Sequence, residues 1–485
     1  MREALVVHNG EAAELGELPR LPFGRFREGV IEAVDRGSRL CALFGTPGER
    51  DEPGVCAVLA HDSDGTLSLC SANLPKVYPS LTPDCPQAHM FEREIAELWR
   101  ATPEGHPWPK PVRVMRTDGF YRVEGEEVHE VAVGPVHAGI IEPGHFRFQC
   151  HGETVLSLEI ALGYQHRGVE RAMAGKPNAR TIHYMETLAG DTTIGHSLAY
   201  SHAVEALSGL RAPPRAQAIR GIALELERLA NHAGDLGALA GDVGYLPTAS
   251  YCGRIRGDFL NLQALICGSR FGRGLVKPGG VAFDLDSARI DELGKRLAGY
   301  IDDLENAAQL LWDSPSVLSR FDDAGRISRE ACEKLGLVGP PARACGIERD
   351  VRQDFPVGIF RFFHLPASTW HRGDVFARAF VRWLEVKRSA AFIDELLRTL
   401  TAGPTLALPA KLSPRHIVAS LVEGWRGEIC HVAATDGDGR FEFYKVVDPS
   451  FHNWPGLAMA LRGGQISDFP LCNKSFNLSY CGHDL

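Results

Sequence analysis

The apolar residues Ile219, Ile222, Leu226, Leu229, Ala233 and Leu236 advance by alternating steps of three and four. This is the 3.6-residue period of a helix that buries one long face. Further helices are expected over 251–271, 287–312 and 373–400, so most of the chain after Gly134 reads as helical. Two β-hairpins frame that region. One pairs 146–150 with 155–162 around His151-Gly152; the other pairs 428–435 with 440–447 around Asp436-Gly437-Asp438-Gly439 and leads into a short helix from Ser450.

The N-terminal region has a different rhythm. Short apolar runs at 39–44, 54–60 and 66–70 alternate with Gly/Pro/Asp clusters at 46–54 and 62–65, the pattern of a small α/β domain. A helix over 88–100, with Phe91, Ile95 and Leu98 along one side, ends at a loop over 102–111 that holds four prolines. A chain of 485 residues exceeds one core of usual size. The expected fold class is α+β: a small N-terminal α/β domain (1–115), a linker (116–130), and a large, mainly α-helical domain with β-hairpins (131–485). No internal repeat or low-complexity segment interrupts this plan.

Composition narrows the function. The chain carries 52 basic and 61 acidic residues, a net charge of −9 without a basic run, which argues against a nucleic-acid partner. No apolar run approaches the roughly 20 residues of a membrane-spanning helix, so membrane association is expected only through partner subunits. The acidic start does not read as a secretory signal, which places the expected protein on the cytoplasmic side. Twelve cysteines are scattered from Cys41 to Cys481 with no C-x-x-C pair, and read as small buried hydrophobes.

The densest polar cluster is Gly134-Pro135-Val136-His137-Ala138-Gly139-Ile140-Ile141-Glu142-Pro143-Gly144-His145. His137, His145 and Glu142 are candidates for proton exchange near neutral pH; alternatively the histidines cap strands and Glu142 pairs with an arginine. Next come Gly163-Tyr164-Gln165-His166-Arg167-Gly168-Val169-Glu170 and Gly190-Asp191-Thr192-Thr193-Ile194-Gly195-His196. Asp191, Thr192 and Thr193 suit the start of a helix through Leu207, where their oxygens would accept free backbone N–H groups.

In order and spacing these segments resemble the G-P-x-H and G-Y-x-H-R-G-x-E motifs of one family: the complex I 49-kDa subunit and the large subunits of membrane-bound nickel–iron hydrogenases. Glu225-Leu226-Glu227-Arg228-Leu229-Ala230-Asn231-His232, Arg343 with Asp350 and Arg352, Asp374 with Arg378 and Arg382, and Glu423 with Arg426 and Glu428 follow in family order. Phe91-Glu92-Arg93-Glu94 and Glu104-Gly105-His106-Pro107 are similar to a signature of the complex I 30-kDa subunit. The whole resembles a formate hydrogenlyase-type fusion of the two subunits.

That resemblance implies four cysteine thiolates around nickel and iron. Their positions fall on Ala189, Thr192, Ser479 and Gly482, so no metal is expected on this chain. The quinone pattern of complex I also fails, since its headgroup tyrosine falls on Gly190 and its histidine near Pro143. Glu142 matches an acidic proton gate and Arg426 an arginine beside the metal site. The resemblance thus implies an oxidoreductase subunit, of NADH:quinone oxidoreductase or hydrogenase type, active only within a complex. Its implied partners are an iron–sulfur small subunit and antiporter-like membrane subunits, with a quinone as candidate acceptor. Candidate catalytic residues are Glu142, His137, His145, Asp191 and Arg426. The alternatives are a non-catalytic scaffold and a hydrogenase of formate hydrogenlyase type.

Overall fold

The computed structural model describes residues 3–48, 52–113, 119–137, 141–408 and 410–485. The boundary expected near residue 115 lies outside them, as do Ala138, Gly139 and Ile140 of the polar loop.

The N-terminal part begins with β1 (Leu5–His8), β2 (Ala12–Glu14), β3 (Arg20–Leu21) and α1 (Phe23–Asp35). The three expected strands follow as β4 (Arg39–Thr46), β5 (Gly54–His61) and β6 (Thr66–Asn73). They form a sheet in the order β1-β6-β5-β4, with β3 also paired to β6. α2 (His89–Trp99) packs on this sheet and is flanked by β7 (Val77–Pro79) and β8 (Thr102–Glu104), which pair in parallel. β8 is the one regular element in the proline loop.

The hairpin expected after Gly134 forms from β10 (His145–His151) and β11 (Thr154–Ala161), and β9 (Val128–Val133), which straddles the end of the expected linker, adds a third strand. Two short helices, α3 (Val169–Met173) and α4 (Thr181–Met185), lead to α5 (Thr193–Leu207).

The periodic run lies on α6 (Pro214–Asp242), which is buried along most of its length rather than on one face. α7 (Leu246–Cys267), α8 (Ser287–Trp312) and α13 (Val375–Thr399) surround it and share one apolar core with it. Local chemistry sets several of their ends. Asp286 and Asp374 accept the N–H groups of Arg289 and Ala377 at the starts of α8 and α13, and Gly268 closes α7 in the left-handed conformation at φ 76°. Between these helices lie the short pair β12 (Val276–Lys277) and β13 (Gly280–Val281), then α9 (Pro315–Phe321), α10 (Arg329–Leu335), α11 (Gly339–Ala344) and α12 (Val351–Asp354).

The C-terminal hairpin, β15 (Gly427–Thr435) with β16 (Phe441–Val447), belongs to a larger sheet ordered β16-β15-β14-β2, where β14 is His416–Gly424. Both its faces are covered. Ile417, Ala419, Leu421, Val432 and Val447 join the core of the N-terminal sheet, while Val418, Ala433, Tyr444 and Val446 pack against α3 and α5. This explains why β14 and β15 are almost continuously buried. The chain finishes with α14 (Pro449–Leu461), α15 (Phe469–Phe476) and α16 (Tyr480–Asp484).

Candidate functional site

Three segments far apart in sequence meet at α16. From the polar loop, Glu142 Oε2 accepts the backbone N–H of Cys481 at 3.1 Å, and His137 Nε2 lies 3.3 Å from the Tyr480 hydroxyl. From the turn before α5, Asp191 forms a bidentate ion pair with Arg426 at 2.5 and 2.8 Å. Arg426 also donates from Nε to the Asn477 carbonyl at 2.5 Å, which ties the β14–β15 turn to the segment just before α16. The Arg426 guanidinium stacks on the Trp425 ring with its carbon 3.9 Å from the ring centre.

The sequence candidates therefore divide. Asp191 and Arg426 touch directly, whereas Glu142 and His137 join the site through Cys481 and Tyr480. His145 stands apart at the start of β10, where Nδ1 faces the Gly134 carbonyl at 3.4 Å and the ring packs against Phe120. His183, another histidine near these segments, pairs with Glu186 at 2.8 Å.

The helix start at α5 departs from expectation for a physical reason. Thr192 occupies the cap position without a side-chain cap bond, and the Asp191 carboxylate is committed to Arg426. Glu227, reaching across from α6, accepts the N–H groups of Ile194 at 2.7 Å and Gly195 at 3.2 Å instead. Burial pushes Glu227 up to about 8; its two backbone donors oppose this and the nearby Asp191 charge adds to it.

Behind α16 runs a buried chain of polar groups. Asp448 Oδ2 lies 3.0 Å from His196 Nε2, His196 Nδ1 lies 3.1 Å from His431 Nε2, and His431 Nδ1 lies 2.8 Å from the Tyr444 hydroxyl. Burial alone would raise the Asp448 carboxyl, but hydrogen bonding and charge from His196, with Arg426 nearby, hold it below its ordinary value. Burial drives the His431 imidazole well below its usual value and so keeps it neutral.

A second buried network underlies the site. Arg228 bonds Glu225 at 3.0 Å and Glu385 at 3.3 Å, and Glu385 also accepts from His232 and from Arg343 at 2.8 Å. Arg343 reaches Glu423 at 2.8 Å, and Arg352 joins Asp350 to Glu225. Nearer the site, Arg382 pairs with Asp235, whose other oxygen accepts from Asn477. The charged residues that followed one another in family order are thus largely members of one framework beneath the Arg426 turn.

The four positions matched to thiolate ligands hold no soft donor. Ala189 is apolar and buried, and the Thr192 hydroxyl is engaged by Arg426 at 3.2 Å. The Ser479 hydroxyl accepts the Gly482 N–H at 2.9 Å, and Gly482 has no side chain. This donor set does not fit a nickel–iron centre. A separate cavity of about 850 Å³ lies between α2, the proline loop, β11 and α14; it reaches the back of α16 at His483 and excludes Asp191, Arg426 and Glu142.

The residues that sequence reasoning overlooked here are Asp448, His431, Tyr444 and Glu227. Asp448 had a local signal as an N-cap, since Asp448-Pro449-Ser450 opens α14 and its carboxylate accepts the Ser450 N–H at 2.8 Å.

Comparison with known proteins agrees with this architecture. Residues 242–417 match the family model described as respiratory-chain NADH dehydrogenase, 49 Kd subunit. The chain is 32% identical over 354 residues to a carbon monoxide-induced hydrogenase of Rhodospirillum rubrum, covering 72% of this chain and 97% of that protein. It is 29% identical to formate hydrogenlyase subunit 5 of Escherichia coli, covering 92% of this chain and 84% of the relative. In fold it is similar to a chain of an archaeal respiratory membrane complex, the membrane-bound sulfane sulfur reductase, with a TM-score of 0.70, 22% identity, and coverage of 75% of this chain and all of the other. The identity to a relative matched over nearly its full length, together with the family-model match, shows that the chain belongs to the family of the respiratory NADH dehydrogenase 49-kDa subunit and its hydrogenase relatives, a family of oxidoreductase subunits.

Proposed function

We propose that this chain is the large subunit of a membrane-associated oxidoreductase complex that couples electron transfer from an iron–sulfur partner subunit to proton chemistry, without a nickel–iron centre. One observation carries the reading: the Asp191–Arg426 ion pair and Glu142 converge on the segment from Asn477 to Cys481, while the positions that the resemblance matches to thiolate ligands carry Ala189, Thr192, Ser479 and Gly482. Among the described residues no helix is long and apolar enough to cross a membrane; in this reading attachment runs through antiporter-like membrane subunits at the cytoplasmic face.

In this reading the polar groups each have a task. Arg426 holds a fixed positive charge that favours an anionic or carbonyl oxygen beside it. Glu142, half-buried and bonded to the Cys481 backbone N–H, is the candidate proton carrier. Asp191 keeps the guanidinium fork oriented.

The test is to purify the complex with its partners, determine its metal content, and assay hydrogen-dependent dye reduction and reduction of soluble acceptors. Redox turnover without stoichiometric nickel is expected. One nickel per chain, or hydrogen-dependent dye reduction, would sink the proposal; absence of turnover with every donor would favour a scaffold.

A quinone acceptor is a second reading, favoured by the Tyr480 hydroxyl beside His137 Nε2. The pair offers a phenol and an imidazole to a carbonyl oxygen, in residues other than those expected from complex I. Under this reading Tyr480→Phe slows reduction of a soluble quinone analogue at least tenfold while reduction of a one-electron dye is unchanged.

A further inference from the structure

Gly482 marks a point where the site has no room for a side chain. A β-carbon placed on it lies 2.6 Å from Asp448 Cγ and 2.8 and 2.9 Å from the carboxylate oxygens. A cysteine at 482 would therefore overlap the Asp448 carboxylate.

Asp448 cannot easily withdraw. Its Oδ1 accepts the Ser450 N–H at the start of α14, and its Oδ2 faces His196 Nε2. His196 is fixed in turn by His431, and His431 by Tyr444. Several assignments of protons satisfy every link, and in each one that leaves Asp448 ionised the His196 Nε2–H donates to Asp448 Oδ2. The carboxylate then accepts at both oxygens, from His196 and from the Ser450 N–H. Arg426 is close enough for its charge to act on Asp448, as Asp448 acts on Arg426.

We infer that Asp448 stands in for the fourth thiolate: it supplies the buried negative charge of the site, accepts the His196 N–H, and keeps a thiolate-bound metal out even when the cysteines are restored. The inference rests on the reading of Ala189, Thr192, Ser479 and Gly482 as former ligand positions. It makes Asp448 a specificity-determining residue, because the missing cysteines alone would not explain a closed site.

Two full-chain variants separate these ideas. One carries Ala189→Cys, Thr192→Cys, Ser479→Cys and Gly482→Cys; the other adds Asp448→Ala, which opens the space beside position 482. Each is titrated anaerobically with cobalt(II), and bound cobalt and the thiolate charge-transfer absorption are measured. The four-cysteine chain is expected to bind no more cobalt than the unmodified chain, and the five-substitution chain about one equivalent with thiolate absorption. Stoichiometric binding by the four-cysteine chain overturns the role of Asp448 and leaves the ligand positions standing. No binding by either overturns the ligand positions, and the inference with them. Should the multiple variants not fold, Gly482→Ala decides: its unfolding midpoint should fall, and part of the loss should return in Gly482→Ala/Asp448→Ala. An unchanged midpoint for Gly482→Ala overturns the inference outright.

Discussion

Glu227 gives the site a pH dependence that can be worked out from one residue. Its folded-state value of about 8 lies above the ordinary 4.5, so the folded chain keeps a proton that the unfolded chain releases. Its contribution to stability is full below about pH 4.5 and is lost as pH rises towards about 8. In Glu227→Gln that term is absent. The stability gap between the unmodified chain and this variant should therefore narrow from pH 5 to pH 8 in denaturant titrations; a pH-independent gap would contradict the assignment. At Arg426 geometry matters more than charge. Lysine cannot reproduce the two-pronged contact with Asp191 or the stacking on Trp425. Arg426→Lys should lower stability by about 1–3 kcal/mol, measured by chemical denaturation, and reduce redox turnover of the complex at least tenfold. Both residues show the limit of reading one sequence. Arg426 was found through its motif, whereas Glu227 sat inside an equally good motif and its capping task depends on α5, which packs beside α6 in space.

The elements sort by how local their causes are. α8 occupies 287–312 as its periodicity predicts, because a long amphipathic run with an Asp cap carries its own instructions. The strand pair at 427–447 was legible for the same reason, through Asp436-Gly437-Asp438-Gly439. β14 was not, since a strand buried on both faces has no alternation to read. Nor was β2, three residues long, whose pairing with β14 is set from a distance. α2 illustrates how a family motif becomes a dock: Glu94 lies between Lys445 Nζ, at 2.7 and 2.8 Å, and Arg113 Nη1 at 2.5 Å. Glu94→Gln leaves the buried Arg113 facing an amide, while Lys445 keeps Glu170 at 2.9 Å. We expect it to cost about 3–5 kcal/mol, seen as a lower denaturation midpoint, with a smaller loss for Glu97→Gln on the same helix, whose carboxylate accepts the N–H groups of Val112 and Arg113.

At the scale of the molecule, the N-terminal and C-terminal parts share a core. Phe26, Leu59, Leu69 and Phe91 belong to the same apolar cluster as Ile417, Leu421, Val432 and Phe451. Expressed alone, residues 119–485 would expose that face of the β14–β15–β16 sheet and should aggregate; co-expression with residues 1–113 should restore a soluble, co-eluting pair in size-exclusion chromatography. Two independently soluble pieces that do not associate would refute this. The motifs led to the expectation of two subunit-like parts; the core shared by the two ends of the chain was not legible, because no local pattern records which apolar face meets which. Asn9, just before β2, shows how far the dependence reaches. Its side chain donates to the Leu421 carbonyl at 2.9 Å and accepts the Leu421 N–H at 2.7 Å, across 412 residues of chain. During synthesis, then, Asn9 leaves the ribosome 412 residues ahead of its partner Leu421. Until β14 arrives the edge of β2 lacks its partner and stays open to other chains.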